Sequence, residues 1–291
     1  MNSPHDDAGQ TQEGVVDVRG VNYAYKFWGD PGAPVMIAFH GWLDNANSFD
    51  AIGPQLARQY RVIAVDFLGH GKSSWLPECA EYHFMDLVVD AAKLLRQWSP
   101  SRPAIVLGHS LGGAVATCLA ALCPECISAC ITIDALGPLI TNEDQLVTKM
   151  ADAVRFRLDC PRRSPRMMPD FETVVRARQR VEWSIEPWAA RQLCLRGAKW
   201  VEGGWMWQSD PRWRTPSLLR MTETQVQALL RAIRCPVLVA VAEAGLLRRL
   251  PTLTERQQCI PRLRVREFPG GHHLHMESAA AMFGQWVLDE V

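Results

Sequence analysis

The stretch AIVLGHSLGGAVATCLAAL, residues 104–122, decides the fold. It runs from an apolar segment through Gly108–His109–Ser110–Leu111–Gly112 into an alanine-rich segment that reads as a helix. A G-x-S-x-G between a strand and a helix makes a sharp turn that lifts the serine hydroxyl clear of a sheet edge. Glycines on either side allow strained backbone angles and a close approach of strand to helix. The helix start adds unpaired N–H groups and a positive dipole end, so the N–H of Leu111 can stabilise negative charge that develops beside Ser110. Ser110 reads as a nucleophile. The alternative, a Gly/Ser-rich turn without chemistry, fits less well because strand and helix are both in place.

On either side of this turn, short apolar runs alternate with helical stretches. VMIAF (35–39), YRVIAV (60–65), AIVLG (104–108), CITI (130–133), PVLVAV (236–241) and LRVREF (263–268) read as strands. Residues 50–59, 83–98, 111–122, 252–259 and 277–290 read as helices, and VVDVRGVNYAYKFWG (15–29) alternates like a first hairpin. Such alternation predicts an α/β fold with a mostly parallel twisted sheet covered by helices on both faces. It breaks between 137 and 233, a segment rich in Trp and more basic than acidic. That segment is too long for a simple crossover and is expected to be a helical lid over the C-terminal edge of the sheet. The division is therefore a core of 1–136 and 234–291, with 1–13 a flexible tail, and a lid of 137–233.

Composition excludes several function classes. Of 291 residues, 48% are hydrophobic, and 31 Lys+Arg balance 31 Asp+Glu, which argues against a charge-driven nucleic-acid or membrane partner. No apolar run approaches the ~18 residues of a membrane span, and the polar N-terminus has no secretory h-region. Nine cysteines without a framework spacing point to a reducing cytoplasm. Cys118, Cys123, Cys126 and Cys130 include a single CPEC with no second pair or nearby His, so they read as small buried thiols rather than a metal site. Neither a cofactor nor a metal is expected.

Two more loops carry chemistry. AFHGWLDNANSFD (38–50) leaves an early strand through His40–Gly41–Trp42, where the Trp42 N–H can join that of Leu111 as an oxyanion donor. In DFLGHGKSS (66–74), His70 reads as structural. FPGGHHLHMESAA (268–280) offers three candidate bases, His272, His273 and His275; a metal reading of this loop is weak because no carboxylate or Cys cluster converges on it in sequence.

GHSLGG, HGW, DFLGHGKSS and GGHHLHME, in this order over residues 20–290, resemble the α/β-hydrolase superfamily. GWLDNANSFD, WQSDPRWR and GGHHLHME look most like its serine-hydrolase-like branch. The resemblance implies that the base is the His directly after the Gly, here His272, with Glu277 five residues on. It also implies an acid in the loop after the strand at 236–241, yet PVLVAVAEAGLL (236–247) offers Glu243, Ala244 and Gly245 there. The slot counted from Ala242 falls on Gly245, which cannot serve. Some esterases and the haloalkane dehalogenases carry the acid after the preceding strand, and CITIDALGP (130–138) ends in Asp134 there. Asp134 is the expected acid, with Glu243 in reserve; the alternative is that Asp134 only caps the entrance to the lid. The expected partner is a small, largely apolar ester-like molecule, hydrolysed through an acyl-enzyme. C–C bond or amide hydrolysis on the same triad, and a non-enzymatic ligand binder, remain as alternatives.

Overall fold

The computed structural model describes residues 11–159, 167–180 and 183–291. The chain opens with the expected hairpin, β1 (Gln12–Val18) and β2 (Val21–Trp28), paired antiparallel around Arg19–Gly20, both at positive φ. Gln12 and Glu13 thus belong to a strand, although both fall in the segment expected as tail; residues 1–10 lie outside the described residues. Glu13 is held by Lys72 at 2.6 Å and by Arg196 at 2.9 Å.

Six further strands complete the sheet: β3 (Val35–Phe39), β4 (Arg61–Val65), β5 (Ala104–His109), β6 (Ile127–Ile133), β9 (Val237–Ala244) and β10 (Leu263–Gly271). Their order is β1-β2-β4-β3-β5-β6-β9-β10, and from β4 to β10 every neighbouring pair is parallel. β5 is buried at every residue, because a parallel sheet covered on both faces has no solvent side. One face is covered by α2 (Phe84–Trp98) and α3 (Leu111–Leu122), whose Leu87, Leu94, Val115 and Leu119 share one apolar cluster with the sheet. On the other face lie α1 (Gly53–Leu56) and α9 (Ala280–Glu290), through Leu56, Phe283 and Trp286. α3 lies so close to the sheet that a Cβ on Gly112 would collide with the backbone oxygen of Phe39. Cys118 and Cys130 are buried, whereas Cys123 and Cys126, on the turn after α3, are only partly so; all four are free thiols.

The segment between β6 and β9 carries α4 (Leu146–Asp159), α5 (Phe171–Gln179), α6 (Pro187–Gly197) and α7 (Glu223–Ala232). It is not wholly helical as expected. KWVEGGWMW folds into an antiparallel pair, β7 (Ala198–Val201) and β8 (Gly204–Trp207), with Trp200 opposite Trp205. Tryptophans alternating across a Glu-Gly turn carry the period of a strand, and that period prevails over the helical surroundings. α5 and α6 build a separate small core from Val174, Val175 and Leu193, closed by Met276 of the sheet domain. The insertion is tied to the strand ends: Asn45 Nδ2 donates to Leu193 O at 2.9 Å, Trp213 Nε1 to Leu68 O at 2.8 Å, and Arg196 pairs with Asp66 at 2.8 Å. α8 (Leu253–Gln258) connects β9 to β10. No described helix is long and apolar enough to cross a membrane.

Candidate active site

Parallel strands deliver the loops after β3, β5, β6, β9 and β10 to one edge of the sheet, and the candidate residues collect there. Ser110 stands between β5 and α3 at φ 51°, a left-handed angle unusual for a side-chain-bearing residue. Its N–H donates to Ile133 O at 3.1 Å, so the strained turn is anchored on the neighbouring strand. Ser110 lines a cleft of about 2660 Å³ together with Trp42, Leu111 and His272.

Trp42, in the loop after β3, and Leu111, at the start of α3, both line this cleft. The N–H of Gly112 is used on His40 O at 3.1 Å, and that of Leu43 on His70 Nε2 at 3.2 Å. Among the described residues no acceptor takes the N–H of Trp42 or Leu111. His40 and His70 brace this loop from below. His40 Nδ1 donates to Gly41 O and its Nε2 accepts from Phe67 N–H at 3.0 Å. Burial lowers the pKa of both rings, that of His70 to about 3, so each is a neutral hydrogen-bonding strut.

His272 follows β10, whose Gly271 pairs with Ala244 of β9, and its Nδ1 lies 2.6 Å from Asp134 Oδ2. Asp134 follows β6 at φ 48°, and its N–H extends the ladder to Ala240 O at 2.8 Å. The carboxylate is fully buried. Burial works against its charge, but the His272 ring and the N–H groups of Leu246 and Leu247 outweigh that and hold its pKa below 3.8. Gly245, the slot left without an acid, is buried against this group: a Cβ there would lie 2.5 Å from Asp134 Cγ. Glu243 is exposed beyond it. Glu277 Oε1 accepts the Glu186 N–H at 3.0 Å, which ties the loop of His272 to the insertion. Trp183 of the insertion covers the His272 ring at 5.0 Å between centroids.

Beside His272 lies a group that the sequence does not display. His109, on the elbow, has Nε2 3.0 Å from the His272 carbonyl. Because a carbonyl only accepts, Nε2 carries the proton and the bare Nδ1 faces Asp44 Oδ2 at 3.6 Å. Burial and the neighbouring His272 push the His109 pKa to about 3, so it stays neutral. His273 Nε2 lies 3.5 Å from the same carboxylate oxygen. Asp44, His109 and His273 thus bring three ligating atoms within 4.8 Å, a convergence that sequence spacing does not display. The cation in this cluster is a guanidinium: Arg178 of α5 pairs with Asp44 Oδ1 at 2.5 Å and lies 3.2 Å from His273 Nε2. Burial opposes the charge of Asp44, but the Arg178 guanidinium beside it holds its pKa well below 3.8. Asp44 at least follows the HGW loop, while nothing in the sequence of α5 marks Arg178. His275 is buried, and among the described residues neither of its ring nitrogens has a hydrogen-bond partner.

The family profile described as "alpha/beta hydrolase fold" matches residues 34–279. A serine hydrolase-like protein of Dictyostelium discoideum is 32% identical over 288 residues, covering 93% of this chain and 78% of that protein. A probable serine hydrolase of Drosophila melanogaster is 30% identical over 263 residues, 86% of this chain and 79% of its own length. The crystal structure of a hypothetical protein from Pseudomonas aeruginosa superposes with a TM-score of 0.88 at 33% identity, covering 95% of this chain and 99% of that one.

Proposed function

The chain belongs to the α/β-hydrolase fold family, in its serine-hydrolase-like branch, and we propose that it hydrolyses carboxylic esters through Ser110, His272 and Asp134. One observation carries the proposal: His272, hydrogen-bonded through Nδ1 to a buried carboxylate, lines the same cleft as a serine on a strained elbow. With its Nδ1–H donated to Asp134, the imidazole keeps Nε2 free to take a proton. Ser110 Oγ attacks the ester carbonyl as its proton passes to His272, and the N–H groups of Trp42 and Leu111 hold the oxyanion. Collapse breaks the bond to the alcohol oxygen, which leaves with the proton from His272. Water then attacks the acyl–Ser110 bond, giving its proton to His272, and the acid departs as Ser110 regains its hydrogen.

We assign the insertion the role of a lid, since Trp183 and the segment around Trp213 roof the cleft. The cleft exceeds the ~300–1,000 Å³ that encloses a drug-sized ligand, so it admits acyl or alcohol groups larger than the small ester expected from sequence. A fluorophosphonate probe tests the reading. Ser110 is labelled, Ser110→Ala removes the label, and short p-nitrophenyl esters are turned over by the wild type alone. Labelling that survives the substitution overturns the nucleophile; neither labelling nor turnover leaves a ligand binder.

A further inference from the structure

The charges that line the cleft do not balance. Among the described residues nine arginines line it against four carboxylates, and of these Asp44, Glu81 and Asp210 are already in ion pairs, with Arg178, Arg157 and Arg212. Arg180, Arg214, Arg220 and Arg249 line the same cleft with no carboxylate partner among the described residues. Arg249 stacks on Trp183, the cover of His272, at 4.6 Å. Arg214 is better placed for a ligand, because its guanidinium lies over the Trp42 ring at 5.7 Å. Trp42 is the residue whose backbone N–H is offered as an oxyanion donor. Its indole is fixed by donation from Nε1 to Trp213 O at 3.0 Å, so the platform under Arg214 is set in advance.

Arg178 strengthens the case. Its Nε and Nη1 are buried and lack an acceptor among the described residues, so Asp44 and His273 use only part of its donor fork. Burial, and to a lesser degree the charge of Arg178, lower the Arg214 pKa. With Asp44 matching Arg178, this wall carries one uncompensated positive charge. A monoanion balances it; a dianionic phosphate monoester over-compensates. A guanidinium fork also matches the two oxygens of a carboxylate.

We infer that Arg214, with Arg178 behind it, receives a carboxylate carried by the substrate, so that this protein prefers hemiesters of dicarboxylic acids to neutral esters. The inference rests on the ester-hydrolase reading above and names its substrate class. The subsite lies on the Trp42 side of the oxyanion position, at a separation that a chain-length series can measure.

The test compares kcat/KM of the full chain for the monomethyl esters of glutarate, adipate, pimelate and suberate with methyl alkanoates of matched length. The wild type is expected to favour at least one hemiester by about ten- to hundredfold, the range of a hydrogen bond to a charged group. Arg214→Gln is expected to collapse that ratio chiefly through KM, and Arg214→Lys to restore part of it. Arg178 is left intact, because its removal leaves Asp44 buried and unpaired. A wild type that turns over neutral esters as well as every hemiester overturns the inference, and so does a substitution that slows both classes equally. Failure of the parent reading looks different: neither ester class is cleaved and Ser110 takes no label. In that case adipate binding to the unmodified chain by calorimetry decides the subsite. Binding that Arg214→Gln abolishes supports it, and no binding overturns it.

Discussion

Asp134→Asn exposes the chemistry of the acid with the least change in shape. Oδ2 accepts from His272 Nδ1 at 2.6 Å and from Leu246 N–H at 2.5 Å, while Oδ1 accepts from Leu247 N–H at 3.2 Å and from Ala242 N–H at 3.4 Å. Every neighbour is a donor, so an amide must turn its NH2 group against donors whichever way it sits. On the Oδ2 side it meets the two close ones, and on the Oδ1 side the two longer ones, so the second orientation is favoured. That orientation leaves an oxygen on His272 and keeps the tautomer, but it removes the charge that stabilises the imidazolium. A hydrogen bond to a charged group contributes about 1.5–3 kcal/mol, and about 1.36 kcal/mol is a tenfold change in rate. The expected loss in kcat is therefore roughly 10- to 100-fold. In the opposite orientation the ring keeps its proton on Nε2, cannot serve Ser110, and the loss approaches the ~10⁴ of a serine protease that lacks its Asp. The assay is steady-state turnover of a short p-nitrophenyl ester on the alkaline plateau of the rate, so that orientation rather than protonation is compared. A variant of full activity refutes the argument, and a fully active Asp134→Asn beside an inactive Glu243→Gln moves the acid to Glu243.

The other expectations follow from the same neighbourhood. His272→Ala should lower ester turnover by orders of magnitude, whereas His273→Ala costs less than about tenfold, the reverse ranking being the result that shifts the base by one residue. Gly245→Ala places a carbon 2.5 Å from Asp134 Cγ, where ~3.5 Å is comfortable, so the carboxylate must shift by about 1 Å off His272; kcat should fall as far as in Asp134→Asn, and unchanged kinetics would contradict the packing. His275 is buried, has no hydrogen-bond partner among the described residues and has its pKa well below 6.5, so the unfolded chain binds protons that the folded one refuses, and stability falls as pH drops below 6.5. His275→Leu should therefore hold or raise the melting temperature and flatten its decline between pH 6.5 and 5, a steeper decline being the adverse result.

The readable parts of this fold were those where one strong local rule governs a segment. Apolar runs of four to six residues marked the strands, and only their ends moved: β6 starts at Ile127 rather than Cys130, and β10 runs on to Gly271. The elbow was legible because glycine, serine, strand and helix all meet within a few residues. The insertion was less so, since its elements are short and their periods mix. The hairpin at 198–207 hides among helices until its alternating tryptophans are counted. The group under His272 was not legible as a group, although His273 stood among the candidate bases. Asp44, His109, Arg178 and His273 come from four separate segments, and only the convergence of strand ends brings them together.

That convergence also accounts for the empty slot in PVLVAVAEAGLL. β6 and β9 are adjacent and in register, Ile133 opposite Ala240, so their C-terminal ends open onto the same small volume beside the base. Only one carboxylate fits there. Asp134 fills it from β6, its oxygens taken up by His272 and by the N–H groups at the start of the turn after β9. Any side chain at 245 would grow into that carboxylate, so glycine is what the occupied volume demands. The arrangement has a cost at the other strand: Asp134 holds φ 48°, of order 1 kcal/mol for a residue with a Cβ, though Asp tolerates this region better than most. The backbone donors of Leu246 and Leu247 offset it. The glycine of one loop and the strained Asp134 of its neighbour are a single packing solution, in which a carboxylate delivered from β6 leaves no room for a side chain at 245.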